Sequence, residues 1–219
     1  MCGIIGYVGK CSVEDILING LRRMEYRGYD SAGVAFITPQ HEMRVIKEIG
    51  KVARLDQKLK NEVPAEERAA AHIGIAHTRW ATHGAPTVAN AHPHIALDGK
   101  LALIHNGIIE NYASLRKQLE AHGCVFASQT DTEVLAHLIG LFYQDDLFAA
   151  TAEALKKIEG TYGIAVICVD KPNEIIVARK GSPLLIGVGE DETIIASDAA
   201  AIVAYTRHVL YLQDGDSAR

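Results

Sequence analysis

The first residues able to do chemistry stand at the head of the chain, Met1-Cys2-Gly3. Once Met1 is trimmed, Cys2 carries a thiol and a free α-amine on one residue, a nucleophile and a base together. A thiol titrates at about 8.5 and an α-amine at about 7.7–8.0, so near neutral pH a useful fraction of the amine is unprotonated beside the sulfur. The amine can take the thiol proton directly or through one water, the logic of an N-terminal threonine transposed to a better nucleophile. Taken alone, Cys2 reads as readily as a small buried hydrophobe. With Met1 attached, the amine is a peptide nitrogen and that form of the chain is expected to be inactive.

Four further polar stretches could serve such a nucleophile: Glu25 to Gly33, His77 to Gly84, His105-Asn106-Gly107 and Ser128 to Glu133. Each interrupts apolar sequence, and a loop as rich in Arg, Tyr and Asp as Glu25–Gly33 is more than a linker needs. Strand-like runs are Gly3–Val8, Val34–Ile37, Met43–Ile49, Ile73–Ala76, Ile95–Leu97 and Leu101–Ile104, the last two joined by Asp98-Gly99 as a hairpin. Further strands are expected over Tyr162–Val169, Glu174–Ala178, Leu184–Val188, Thr193–Ala196 and His208–Leu212. Helices are expected from Ser12 as a cap, over Lys51–Lys60, from Asn111 to Leu119 with Gly123 beyond, from Thr130 as a cap, over Leu147–Ile158, and briefly over Asp198–Tyr205. Glu62–Arg68 reads as an exposed polar segment. Strands mixed with paired helices imply sheets packed on each other and covered by helices.

The 219 residues suit one large domain, or at most two small ones, and 48% hydrophobic with 22% charged residues is the balance of an ordinary globular protein. A net charge of −5 with no Lys/Arg run argues against a nucleic-acid or anionic-membrane partner. No stretch suits a bilayer span or a signal peptide, so a cytoplasmic location is expected. Cys2, Cys11, Cys124 and Cys168 lack the spacing of a disulfide framework or zinc site, and Cys124 and Cys168 are expected in the core. His92-Pro93-His94 invites a metal reading, but there is no HExxH and a thiol nucleophile needs no Lewis acid, so neither metal nor cofactor is expected.

Met1-Cys2-Gly3-Ile4, Glu25-Tyr26-Arg27-Gly28-Tyr29-Asp30-Ser31, His77-Thr78-Arg79-Trp80-Ala81-Thr82-His83-Gly84, His105-Asn106-Gly107-Ile108-Ile109-Glu110-Asn111 and Thr130-Asp131-Thr132-Glu133 together resemble the class II glutamine amidotransferases. Within them they are most similar to the glutaminase domain of the glutamine-fructose-6-phosphate aminotransferase family. The resemblance implies an α+β, N-terminal nucleophile hydrolase fold in four layers, αββα, with residues 2–219 as the glutaminase domain. It also implies a C-terminal sugar isomerase domain outside this sequence, and a homo-oligomeric full-length enzyme. That enzyme would pass ammonia from glutamine to fructose 6-phosphate.

On that reading the side chains take definite tasks. Glutamine is a zwitterion, so its site wants a cation for the α-carboxylate and an anion for the α-ammonium. Arg79, with its planar fork, and Asp131 supply the pair. Thr82 and His83 would hydrogen-bond the substrate from the loop of Arg79. The Asn106 amide and the Gly107 N–H would hold the oxyanion formed when the Cys2 thiolate attacks. The bland alternatives are a surface ion pair for Arg79, a helix cap for Asp131 and a strand-end turn for Asn106-Gly107. Trp80 suits core packing or, as the family resemblance implies, a gate on the ammonia channel. Arg27 suits either support of the Cys2 site or structural bracing. Another N-terminal-cysteine amide hydrolase, or a catalytically silent glutamine-binding module, would share part of this pattern.

Overall fold

The computed structural model describes residues 2–80 and 84–219. In chain order its elements are β1 (Gly3–Val8), α1 (Val13–Met24), β2 (Ser31–Ile37), β3 (Met43–Ile49), α2 (Val52–Glu62), α3 (Ala65–Ala70), β4 (Ile73–Arg79), β5 (His94–Ala96) and β6 (Leu101–Ile109). There follow α4 (Tyr112–Ala121), α5 (Asp131–Phe142), α6 (Leu147–Leu155), β7 (Gly160–Cys168), β8 (Ile176–Lys180), β9 (Leu185–Val188), β10 (Thr193–Ala196), β11 (Val209–Tyr211) and β12 (Ser217–Ala218). One sheet has the order β11-β9-β10-β1-β4-β2-β3 and the other β12-β8-β7-β6-β5.

Period-two alternation sorts the strand residues into layers. In β1, Ile5 and Tyr7 join α1 and α2 in one core, while Ile4 faces the second sheet. In β6, Leu101 and Leu103 meet α4, α5 and α6, while Ala102 and Ile104 face the first sheet. Both faces of each sheet are thus buried, which is why β1 and β7 read as nearly unbroken apolar runs. The result is helix, sheet, sheet, helix, the αββα layering the family resemblance implies.

The same alternation carries the polar residues inward. Ile73 and Ile75 of β4 face the gap between the sheets, so His77 and Arg79 continue on that side. Ala102 and Ile104 of β6 do likewise, so Asn106 follows them. The apolar filling of the gap therefore gives way, at one end of both strands, to His77, Arg79 and Asn106.

Several local expectations differ from the structure. Strand β4 extends through Arg79 and β2 begins at Ser31, because pairing between them, Ser31 to Arg79 and Gly33 to His77, outweighs polar composition. Residues 65–70 form α3, anchored by an Arg68 ion pair to Glu14. The Ser12 hydroxyl donates to the Arg68 carbonyl instead of capping α1, and the Asn111 side chain bonds the Lys157 carbonyl and Glu159 N–H instead of capping α4. Residues 199–201 make only a 3-10 turn. Asp98 and Gly99 both take positive φ, and the Lys100 N–H returns to the Leu97 carbonyl, as the hairpin requires. Cys168 is fully buried and Cys124 partly so.

Candidate active site

The end of the intersheet gap opens into a cavity of about 390 Å³. Cys2, Arg27, Arg79, Trp80, Asn106, Gly107 and Asp131 all line it. Cys2 precedes β1 and is held by its neighbours: the Gly3 N–H donates to Thr78 Oγ1 (3.1 Å) and the Ile4 N–H to Ser197 Oγ (3.0 Å). The Trp80 N–H points at Cys2 Sγ from 3.1 Å, and the Trp80 carbonyl lies 3.6 Å away as acceptor for the thiol proton. Burial pushes the Cys2 thiol up, with the Trp80 N–H and Arg79 pulling the other way. A thiol in that setting needs a base to become a nucleophile.

Asn106 reaches Cys2 from β6. Its Nδ2 donates to the Cys2 carbonyl (3.1 Å), so Oδ1 must accept, and His77 Nε2 supplies the proton at 2.9 Å. One Nδ2 proton remains for a ligand. Gly107 sits at φ +137°, and a Cβ there would collide with the Thr161 carbonyl, so only glycine fits. Arg79 is 4% exposed and donates to the Gly84 (3.2 Å) and Ala85 (3.4 Å) carbonyls, with the Asp30 carboxylate at 3.9 Å. Asp131 opens α5 and accepts from the Ile109 N–H (2.9 Å) through one oxygen. Thr130 caps that helix by accepting from the Glu133 N–H, as expected. A cation and an anion thus border the same cavity as a thiol and an amide donor, which suits recognition of a zwitterion with a neutral amide at its far end.

The family described as a glutamine amidotransferase domain matches residues 77–204. The chain belongs to that family. It is 51% identical to a glutamine-fructose-6-phosphate aminotransferase (isomerizing) of Chlorobaculum tepidum over 100% of this chain and 36% of the relative. It is 52% identical to the corresponding enzyme of Thermus thermophilus, over 100% of this chain and 35% of the relative. The chain therefore spans about a third of the length of these relatives. A solved glutamine phosphoribosylpyrophosphate amidotransferase from B. subtilis superposes with a TM-score of 0.81 at 28% identity, covering 99% of this chain and 46% of that one. The fold is accordingly that of the N-terminal nucleophile hydrolases.

In this glutamine amidotransferase domain Trp80 is 55% exposed, which rules out core packing. Its ring lies over Gly28, at φ +92°, where a Cβ would overlap the indole. Arg27 donates to the Ser197 carbonyl (3.2 Å) and reaches Asp198 (3.4 Å), so it braces the residue that holds the Ile4 N–H while also bordering the cavity. Thr82 and His83 lie outside the described residues.

His92 and His94 face inward. His92 stacks on His77 with ring centroids 4.1 Å apart, and His94 Nε2 meets Thr130 Oγ1 at 3.0 Å. His105 sends Nε2–H to the Thr161 carbonyl (3.2 Å), accepts from Thr132 Oγ1 (3.0 Å) at Nδ1, and its backbone N–H donates to His92 Nδ1 (3.3 Å). Among the described residues no three His, Cys, Asp or Glu side chains group as metal ligands. Thr132, Thr161, Ser182 and Pro183 also line the cavity. Sequence reasoning missed them as site residues; Thr132 lay inside a quoted motif, whereas Thr161 and Ser182-Pro183 carry no local signal and arrive through the pairing of β7 with β6 and β8.

Proposed function

We propose that this domain hydrolyses the side-chain amide of L-glutamine to glutamate and ammonia, with Cys2 as the nucleophile once Met1 is removed. Arg79 takes the α-carboxylate and Asp131 the α-ammonium, with Thr82 and His83 adding hydrogen bonds and Arg27 and Trp80 bordering the site. The Cys2 α-amine accepts the thiol proton and the sulfur adds to the amide carbonyl. The Asn106 amide and Gly107 N–H hold the resulting oxyanion. The amine returns its proton to the departing nitrogen, ammonia leaves, and water cleaves the thioester to release glutamate.

The observation that supports this reading is the convergence of Cys2, Asn106, Arg79 and Asp131 on one cavity. In the whole protein, residues 2–219 are the glutaminase domain, and a following sugar isomerase domain transfers the ammonia to fructose 6-phosphate to give glucosamine 6-phosphate. The names and greater length of the relatives support that step. We place the enzyme in the cytoplasm, as a homo-oligomer. Glutamate release by the Met1-trimmed protein is the test: Cys2→Ala abolishes it and Arg79→Ala raises KM strongly. Full activity in Cys2→Ala would refute the reading, and glutamine binding without glutamate release would mark a silent binding module instead.

A further inference from the structure

We infer that His77 is the positioning residue that aims the Asn106 amide at the reacting carbonyl. The inference rests on the reading of Asn106 as an oxyanion donor. An amide side chain has two nearly isosteric orientations, and only the one with Nδ2 toward Cys2 offers a proton to an oxyanion there. The Cys2 carbonyl selects that orientation from one side, at 3.1 Å. His77 selects it from the other, because a ring N–H at 2.9 Å can face Oδ1 but would clash electrostatically with Nδ2.

His77 is suited to that role only if it stays neutral with the proton on Nε2. It is 1% exposed, its ring is stacked on His92, and its buried Nδ1 makes no hydrogen bond among the described residues. A bare Nδ1 lone pair is consistent with the proton residing on Nε2. Burial drives the His77 pKa down to about 3, against the opposing pull of Asn106, so the ring holds no charge at neutral pH. The gap between the sheets therefore carries a fixed N–H dipole behind Asn106, in a low-dielectric layer where such dipoles count most.

The test uses steady-state kinetics of the Met1-trimmed protein with His77→Phe, which keeps a ring against His92 but has no N–H, and His77→Gln, whose amide nitrogen reaches about as far as Nε2. His77→Phe is expected to lower kcat about 10- to 100-fold, part of the loss from deleting an oxyanion donor. KM for glutamine should stay within about threefold, since ground-state binding is untouched. His77→Gln is expected to recover most of kcat. Inhibition by the aldehyde analogue of glutamine, which forms a tetrahedral adduct with a thiol, should weaken in step with kcat while product glutamate binds as before. In an Asn106→Ala background, His77→Phe should cost little more, because its effect passes through Asn106. Should His77→Phe fail to fold, His77→Asn, polar but too short to reach Oδ1, is expected to show the same loss. Wild-type kcat in His77→Phe or His77→Asn, or equal losses in the two backgrounds, would overturn the inference. Cys2→Ala separates the two claims: if it is inactive while the His77 variants are normal, only the role of His77 falls.

Discussion

Gly107 illustrates how one atom decides the site. At φ +137° and against the Thr161 carbonyl, it has no room for a methyl group. Gly107→Ala must push β6 from β7 or rotate the peptide whose N–H we propose as the second oxyanion donor. Turnover should fall about a hundredfold or more, with stability lower by roughly 1–3 kcal/mol from the strained backbone. Glutamate release and thermal melting of the trimmed protein check both. A variant of normal kcat would show that the 107 peptide takes no part in the chemistry. Arg79 behaves differently, because its guanidinium also ties the Gly84 and Ala85 carbonyls. Losing it should therefore disturb the loop as well as the charge.

Among the elements, α5 places Asp131, and its first turn is held by a dense set of bonds. Glu133 accepts from the Ala127 N–H (2.8 Å) and from the Ser128 N–H and hydroxyl (both 2.6 Å). Burial alone would raise its pKa, but the nearby His137 ring, 3.9 Å away, and the hydrogen bonds from Ser128 and the Ala127 N–H hold it down at about 2. Thr130→Ala removes the cap and leaves His94 Nε2 without its 3.0 Å partner. A loss of about 2 kcal/mol is expected by urea unfolding, together with a raised KM for glutamine as Asp131 shifts. An unchanged KM would detach the cap from the site. That cap was legible because Thr130 and Glu133 are local signals, and so were β1 and β10, whose apolar runs match their strands. Ser12 and Asn111 carry the same cap chemistry yet spend their side chains on distant carbonyls, which only the folded chain brings near. Helix α3 was signalled by Pro64 ahead of Glu66 and Glu67, but its apolar side is too short to show periodicity. The gathering of Cys2, Arg79, Asn106 and Asp131 around one cavity was readable from motif chemistry, whereas the contact of His77 with Asn106 depends on β4 and β6 lying across the gap from each other.

At the scale of the whole molecule, the two sheets enclose His77, His92, His94 and His105, all at most 5% exposed. Burial depresses each below its usual 6.5, His77 to about 3. In the unfolded chain these rings take up protons near 6.5, and in the folded chain they do not. Stability is therefore whole above that value and falls as pH drops below it, through a window that for His77 closes only near 3. Each ring can contribute up to about 1.4 kcal/mol per pH unit. Denaturant unfolding from about pH 7 to about pH 5 should show a steep decline, shallower in His77→Asn; a flat profile would contradict the neutral layer. The molecule also has a single indole, and it stands half outside at the cavity mouth with its backbone N–H on the Cys2 sulfur. All tryptophan light from this domain consequently comes from the doorway of the site. Its emission should be red-shifted and open to a soluble quencher, then shift blue and gain protection as glutamate enters, an optical titration that needs no attached dye.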